Sequence, residues 1–364
     1  KDIGGLYNML KTLKRLFKGE YPYLVKGNKP PISVESQFDR DILIDFYSES
    51  FDFYNYLSKF MIVESEDSYY LFYMVHHIIF DAVSAGVFKR DFMTLLDGGS
   101  VDFDDGFLKA SAFTRQINKT KKFDEAKEFY HSILSDLDDI CILPKDDPSS
   151  EGYNISTYDL EFDKTALKSF LNKAVISENI LFTAVFSYTL SQFVNGDKVQ
   201  FITLENGRDR FNETFISMTS NLMPIVIDCK NQSINSFIRD VSDTVYGVLR
   251  YSYYPTFLLY PKYNFERDIL FHFVPNWIAD DFDVIENTDD AGTEIINNVL
   301  NDFNDFVTEF FVQVYQNGDD YRLIVLHSNK YSQKMIDDFK HAYMSILSNV
   351  INASLSSDLS STLK

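Results

Sequence analysis

The sequence predicts an α/β protein built from two lobes. Stretches typical of strands alternate with stretches typical of helices in both halves of the chain, as in α/β architectures. The 364 residues exceed the roughly 250–300 residues at which a single hydrophobic core stops growing. The stretch from Leu143 to Ser150 is rich in Pro, Asp and Ser and has the composition of a linker. We therefore expect an N-terminal lobe over 1–148 and a C-terminal lobe over 149–364.

The composition excludes several classes of protein. Hydrophobic residues make up 45% of the chain, with 34 Phe and 23 Tyr, so the chain can build sizeable cores. A net charge of −20 without a basic stripe argues against nucleic-acid binding. The two cysteines lack metal-ligand spacing and cannot form a disulfide framework. Apolar runs such as Leu71–Val75 are far shorter than the ~20 residues of a membrane span. We expect a soluble, cytoplasmic protein without a bound metal.

In the first half, the periodicity predicts an amphipathic helix over 1–18. No capping residue precedes this helix, so we expect the true N-terminus to lie upstream. The aromatic and apolar run 68–75 predicts a buried strand. Apolar residues at helical spacing predict helices over 84–96 and 123–134.

The second half continues the alternation. Ser177 is expected to cap a helix through its hydroxyl, and the Ser-rich end from Ser354 is expected to be a frayed tail or a linker stub. The predicted helices are 165–174, 177–193, 235–250 and 333–347, and the predicted strands are 158–162, 199–204, 268–274, 307–315 and 321–326.

The segment from His76 to Ser84, which reads HHIIFDAVS, is the main candidate for chemistry. Side chains of adjacent residues on a strand point to opposite faces, so His76 and His77 are unsuited to binding one metal ion. A neutral imidazole facing a cavity can accept a proton near pH 7. Asp81 is then placed to hold the loop at the strand-to-helix transition. The alternative interpretation is a hydrogen-bonded core histidine, with Asp81 capping the following helix.

Other catalytic arrangements are missing from the sequence. No serine or cysteine lies in a nucleophile elbow, and there is no Gly-rich phosphate loop. For an enzyme, these features favour direct acyl transfer between two bound substrates over a covalent intermediate or phosphoryl transfer.

The motif HHIIFDA resembles the HHxxxDG motif of the condensation domains of nonribosomal peptide synthetases, which belong to the chloramphenicol acetyltransferase superfamily. Further segments, in the same order along the chain, are similar to those of this family. They are Phe51-Asp52-Phe53, Phe129–Leu134, Leu143–Pro148, Asn206-Gly207-Arg208 and Asn221-Leu222-Met223-Pro224. The resemblance covers nearly the whole chain.

The resemblance implies two acetyltransferase-like lobes in a V-shaped pseudo-dimer with a central channel. It also implies amide (peptide) bond formation between thioesters carried on the phosphopantetheine of upstream and downstream peptidyl carrier proteins. A neighbouring adenylation domain is a further implied partner, and the domain itself binds no cofactor. By this resemblance, His77 acts as the base or orients the amine, His76 is structural, and Asp81 forms a structural ion pair.

Four more residues are assigned to the channel by the resemblance: Ala82, Ser84, Arg208 and Asn221. For Ser84, capping the helix is the alternative role. Ala82 stands where the motif has glycine, so a positive φ there would be strained. Lys59 stands where the family usually has Arg, and Ser217 replaces a family glycine. With these departures, the alternative is a domain of the same fold that is catalytically weak or serves only as a carrier-docking scaffold.

Three alternatives remain at this stage. The first is an epimerising or cyclising member of the same fold, although the cyclising type needs an acid in place of His76. The second is a stand-alone acyltransferase that uses coenzyme A. The third is a non-catalytic module that docks carrier proteins. Lys119, Lys121 and Lys122 form the candidate patch for an anionic partner, and a solvated helix start is the alternative interpretation.

Overall fold

The structure is a computed structural model. It describes residues 29–37, 39–53, 55–64, 68–102, 105–135, 137, 140–194, 196–208, 215–276 and 308–363. The predicted helix over 1–18 lies outside the described residues. The chain divides into two compact units. Unit 1 consists of residues 1–113, 208–219 and 281–299, and unit 2 consists of residues 114–207, 220–280 and 300–364.

This division differs from the expected boundary at 148/149. The linker-like stretch is packed inside unit 2, where the side chain of Leu143 is buried. Lys145 forms an ion pair with Glu309, and a carboxylate oxygen of Asp146 accepts a hydrogen bond from the backbone N–H of Ser332 (2.8 Å). Pro and Asp are common both in interdomain linkers and in hydrogen-bonded turns, so the composition of this stretch could not distinguish a linker from a packed turn.

Unit 1 contains a small sheet. Its strands are β1 (Ile32–Glu35), β2 (Ser58–Glu64) and β3 (Tyr69–Val75), with β1 parallel and β3 antiparallel to β2. The helices are α1 (Arg40–Ser48), α2 (Ala82–Leu96) and α3 (Gly106–Ile117), and α3 continues into unit 2 after residue 113. The predictions of a strand over 68–75 and a helix over 84–96 are confirmed by β3 and α2.

Side-chain alternation along β2 buries both faces of this strand. Phe60 and Ile62 belong to a cluster with Phe88 and Phe92 of α2. Met61 and Val63 pack instead with Leu43 of α1. A central strand covered on both sides reads as a continuous apolar run, and this is why its sequence lacks a polar alternation.

Unit 2 contains a larger mixed sheet with the strand order β4-β9-β8-β7-β5-β6, in which β7 is parallel to both β5 and β8. The strands are β4 (Tyr153–Asp159), β5 (Lys198–Glu205), β6 (Asn221–Asp228), β7 (Ile269–Val274), β8 (Phe310–Asn317) and β9 (Asp320–Ser328). The helices are α4 (Lys121–Leu134), α5 (Lys164–Ala174), α6 (Glu178–Leu190), α7 (Ile234–Arg250) and α8 (Gln333–Asn352).

Helix α6 forms the centre of the core of unit 2. Every residue from Ile180 to Leu190 is buried, and most of these residues are apolar. The ring of Phe186 stacks on Phe271 of β7 with 4.5 Å between centroids. The hydroxyl of Ser177 accepts a hydrogen bond from the backbone N–H of Ile180, so the predicted cap is confirmed.

Two predictions for unit 2 need correction. Strand β4 begins at Tyr153 rather than 158, because it pairs with β9 from Tyr153–Ser328 to Asp159–Arg322. The C-terminal residues are not a frayed tail. They form a 3₁₀ helix (Leu359–Leu363), and the backbone N–H of Leu359 bonds to the carbonyl of Gln232 (2.8 Å).

Candidate active site

The motif segment of unit 1 connects the end of β3 to the start of α2. Strand β3 ends at Val75, and a turn that includes His77 follows. The backbone N–H of His76 donates to the carbonyl of Leu57 (2.8 Å), which ties the start of the segment to the residue before β2. Both histidines therefore lie after the strand. The prediction that they occupy opposite faces of a strand is wrong, and the turn orients them instead.

His76 is half-buried against aromatic side chains. Its ring makes edge contacts with Phe51 and Phe53, at centroid distances of 5.3 and 4.8 Å. Its Nδ1 accepts a hydrogen bond from the backbone N–H of Ile78 (3.0 Å). In this geometry Nδ1 acts as the acceptor, and the packed ring of His76 helps to shape the turn.

His77 is exposed, and its orientation is set by one backbone bond. Its Nδ1 lies 2.6 Å from the carbonyl oxygen of Phe80. A carbonyl can only accept, so Nδ1 carries a proton, and in the neutral form of the ring Nε2 keeps the lone pair. The turn thus presents an imidazole in the tautomer that a general base requires.

Asp81 caps helix α2 from a buried position, with 2% of the residue exposed. Its Oδ1 accepts hydrogen bonds from the backbone N–H of Ser84 (3.0 Å) and from Arg208 Nη2 (2.8 Å). Its Oδ2 accepts from Arg208 Nη1 (2.6 Å) and from the backbone N–H of Thr219 (3.1 Å). The carboxylate and the guanidinium therefore form a bidentate, buried ion pair.

The environment of Asp81 determines its protonation state. Burial alone would raise the pKa of this carboxyl. The hydrogen bonds and charge of Arg208, together with the N–H groups of Thr219 and Ser84, hold the pKa below its usual value instead. Asp81 is ionised at neutral pH and is occupied by its hydrogen-bond donors, so the geometry does not suit it to accept a substrate proton.

Ser84 and Arg208 belong to the same buried network. Ser84 Oγ accepts hydrogen bonds from Arg208 Nη2 and from the backbone N–H of Ser217, both at 3.0 Å. Arg208 also donates from Nη2 to the carbonyl of Ser217 (3.0 Å) and from Nη1 to Thr219 Oγ1 (2.8 Å). Both Ser84 and Arg208 are buried in this network, and their placement along a substrate channel stays a prediction. The cap of α2 is Asp81 rather than Ser84.

Ala82 is the exposed first residue of α2. In the part of the chain that the structure describes, Val175 is the non-glycine residue with a positive φ. The expected backbone strain at Ala82 is therefore wrong, because a helical first residue needs no glycine.

Lys59 and Asn221 form contacts of their own. The Nζ of Lys59 donates to a carboxylate oxygen of Glu49 (3.1 Å) and lies 4.8 Å from the centroid of the Phe46 ring. In unit 2, the side-chain amide of Asn221 donates to the carbonyls of Ser252 and Tyr254, both at 2.7 Å. Among the candidate cations, Arg208 and not Lys59 is the ion-pair partner of Asp81.

Sequence reasoning missed Thr219 and Phe215, which contact Arg208 through a side-chain oxygen and a backbone carbonyl respectively. Their position shortly before the family-like segment Asn221–Pro224 is the sequence feature that could have indicated them. Neither residue type is distinctive by itself, so the structure was needed to find them.

Metal-binding and membrane-spanning features are both missing from the described residues. Within them, no group of His, Cys, Asp and Glu side chains is arranged to hold a metal ion. In the same residues, no helix is both long enough and apolar enough to cross a membrane.

The amino-acid sequence matches a known protein family. Residues 36–362 match the sequence profile described as Condensation domain. The chain is 24% identical to bacitracin synthase 3 of Bacillus licheniformis over 247 residues, which are 64% of this chain and 4% of that protein. This chain thus spans only a small part of that relative.

Solved structures show the same fold at low sequence identity. The X-domain from teicoplanin biosynthesis superposes with a TM-score of 0.74 at 13% identity, covering 99% of this chain and 89% of that one. The condensation domain from Monacolin K polyketide synthase superposes with a TM-score of 0.72 at 13% identity, covering 97% and 90%. Both matches cover almost the whole chain.

Proposed function

The chain belongs to the Condensation domain family, and from this we propose that it forms an amide bond between two thioesters bound to carrier proteins. The observation that carries the proposal is the geometry of His77. Its Nδ1 proton is engaged by the carbonyl of Phe80, the residue is exposed, and Nε2 of the neutral ring can accept a proton. The family match supplies the reaction class, and the imidazole supplies a group able to assist it.

In the proposed reaction, the amine of the acceptor attacks the thioester carbonyl of the donor. A C–N bond forms, the C–S bond breaks, and the carrier thiol leaves. His77 Nε2 orients the amine and accepts the proton that the nitrogen loses, and that proton then passes to the departing sulfur or to solvent. No covalent enzyme intermediate and no bound cofactor is required.

The other motif residues support this role without touching substrate. Asp81, paired with Arg208, caps α2 immediately after Phe80, whose carbonyl orients His77. His76 packs on Phe51 and Phe53 and accepts the Ile78 N–H, which supports the turn from the other side. We assign Asp81 and His76 to positioning, and His77 to the reaction.

The proposed partners are upstream and downstream peptidyl carrier proteins with phosphopantetheine arms, together with an adenylation domain that loads them. Lys119, Lys121 and Lys122, all exposed, are the proposed contact for an anionic carrier.

The decisive experiment is an amide-forming assay with a loaded donor carrier and a loaded acceptor carrier. We expect product with the wild type, and a rate about 10²–10⁴-fold lower for His77→Ala. The melting temperature should stay unchanged, because the side chain of His77 is exposed.

His341→Ala is the matched control. His341 is also exposed, and its Nδ1 bonds to a backbone carbonyl, that of Asp337, in the same way (2.6 Å). This variant should react at the wild-type rate. A wild type that binds both loaded carriers without making amide would instead identify a docking module. Equal turnover with an acyl-coenzyme A donor would identify a stand-alone acyltransferase.

A further inference from the structure

We propose that Phe215, seated against Gly106, is a positioning residue that holds Arg208 in place and, through Arg208, the Asp81 end of the motif turn. This inference rests on the proposed function and deepens it. It assigns a role to two residues outside the motif, one at the start of α3 and one in the segment 215–219 of unit 1.

The contact between Gly106 and Phe215 leaves no room for a side chain at position 106. A Cβ added to Gly106 would lie 2.5 Å from the Cβ of Phe215 and closer still to its ring carbons. Carbon atoms in cores pack at about 3.5–4.0 Å. A rotamer change of Phe215 moves its ring but not its Cβ, so any larger residue at 106 must displace the backbone of Phe215.

Phe215 in turn holds Arg208 in two ways. Its backbone carbonyl accepts a hydrogen bond from Arg208 Nη2 (2.9 Å), and the guanidinium carbon lies 5.2 Å from the centroid of its fully buried ring. A guanidinium at this distance from an aromatic face gains a cation–π attraction that is strengthened by burial. A shift of the Phe215 backbone therefore moves the carbonyl and the ring that locate Arg208.

A movement of Arg208 affects the motif turn, because Arg208 is the bidentate partner of Asp81. Asp81 directly follows Phe80, whose carbonyl sets the tautomer of His77. A displacement of the reacting group by about 1 Å can cost about a hundredfold in rate. The Gly106–Phe215 contact should thus affect catalysis more strongly than it affects substrate binding.

The test is a double-mutant cycle between Phe215→Leu and Arg208→Lys. Leu removes the ring without creating a clash, and Lys keeps the charge but loses the bidentate geometry. We expect Phe215→Leu to lower kcat about tenfold with KM for both carriers nearly unchanged, and to lower it less than about twofold in the Arg208→Lys background. Equal, additive losses in the two backgrounds would overturn the proposal, and so would a loss confined to KM.

A second comparison uses a matched pair of glycines. Gly106→Ala should lower kcat more than Phe215→Leu does. Gly247→Ala, in α7 of unit 2, meets only the far end of the Phe129 ring, with a nearest atom at 2.7 Å, and should leave kcat unchanged. Equal effects of the two alanine substitutions on kcat would contradict the proposal.

Urea unfolding of the same four proteins tests the role of Phe215 independently of the proposed function. If no variant, including the wild type, forms amide, the proposed function fails. The urea midpoints of the four proteins still report whether Phe215 acts through Arg208. Coupled shifts in the midpoints support the contact, and additive shifts overturn it.

Discussion

Asp81 and Arg208 form a buried, bidentate ion pair in unit 1. Both are nearly inaccessible to water, and backbone N–H groups of Ser84 and Thr219 complete the coordination of the carboxylate. Removing one member of such a pair leaves the other charge buried without compensation. We therefore interpret the pair as fixing the conformation of the motif turn, rather than as adding net stability to the fold.

Asp81→Asn should destabilise the protein by about 3–5 kcal/mol, because it leaves the Arg208 guanidinium buried without its counter-charge. Urea unfolding at neutral pH measures this loss. Asp319→Asn is the control, since Asp319 and its partner Lys168 are both exposed (3.3 Å apart), and it should cost less than about 1 kcal/mol. Equal losses for the two variants would contradict a structural role for Asp81.

The pH dependence of the same variant follows from the direction of the shift. The pKa of Asp81 is lowered in the folded protein, so its contribution to stability is present above the pKa of the unfolded chain. That contribution is lost as the pH falls through the folded value. Below about pH 4, the wild type should therefore lose free energy of unfolding more steeply than Asp81→Asn does.

At the scale of single elements, helix α5 ends in an unfavourable conformation. Val175, its C-terminal cap, has φ +56° and ψ +50° and is 86% exposed. A β-branched residue in this left-handed region costs roughly 1–2 kcal/mol, and glycine avoids that cost. Val175→Gly should raise the free energy of unfolding by about 1 kcal/mol, measured by thermal or urea unfolding. Val175→Ala keeps the backbone conflict and should change little, so an equal gain from alanine would refute the explanation.

The 3₁₀ helix near the C-terminus is an integral part of the core of unit 2. Leu359 is 1% exposed and belongs to the main hydrophobic cluster, whereas Leu363 in the same helix is 47% exposed. Leu359→Ala should therefore cost about 2–5 kcal/mol, as core truncations do. Leu363→Ala should stay within about 0.5 kcal/mol of the wild type in the same urea experiment. Similar costs would mean that this segment is only loosely docked.

At the scale of the whole molecule, the net charge of −20 opposes an anionic partner. Lys121 and Lys122 begin helix α4, where positive charge is unfavourable to the helix dipole, and the cap residue Thr120 makes no side-chain capping bond. Lys121 lies 3.8 Å from Glu125 in the next turn, and the three exposed lysines together place local positive charge that favours binding an anion. This charge arrangement supports assigning the patch to carrier recognition.

Reversing the patch with Lys119→Glu, Lys121→Glu and Lys122→Glu together should weaken carrier binding at least about tenfold at low salt. The difference from wild type should shrink at about 0.5 M salt, because exposed charges are then screened. Lys334→Glu, an exposed lysine in the first turn of α8 paired with Asp338, is the control and should bind normally. Loss of binding that is independent of salt would point away from an electrostatic contact.

Much of the local structure was predictable because its causes are local. The cap at Ser177, the helix α6 that it begins and the apolar and aromatic run of β3 each follow from the properties of neighbouring residues. The order of family-like segments around HHIIFDA likewise identified the fold class and the motif from sequence alone. Helix and strand periodicity depends on contacts a few residues apart, and these contacts can be inferred from the sequence itself.

The partners of these segments were decided only by the tertiary structure. Asp81 pairs with Arg208, 127 residues away in the sequence. The register with β9 set the start of β4, and contacts with the start of α7 turned a Ser-rich tail into a packed 3₁₀ helix. Composition and periodicity establish which residues need a partner. Which partner they receive depends on the long-range packing that brings distant segments together, because a charge or an apolar face can be satisfied by any complementary group that the fold places within reach.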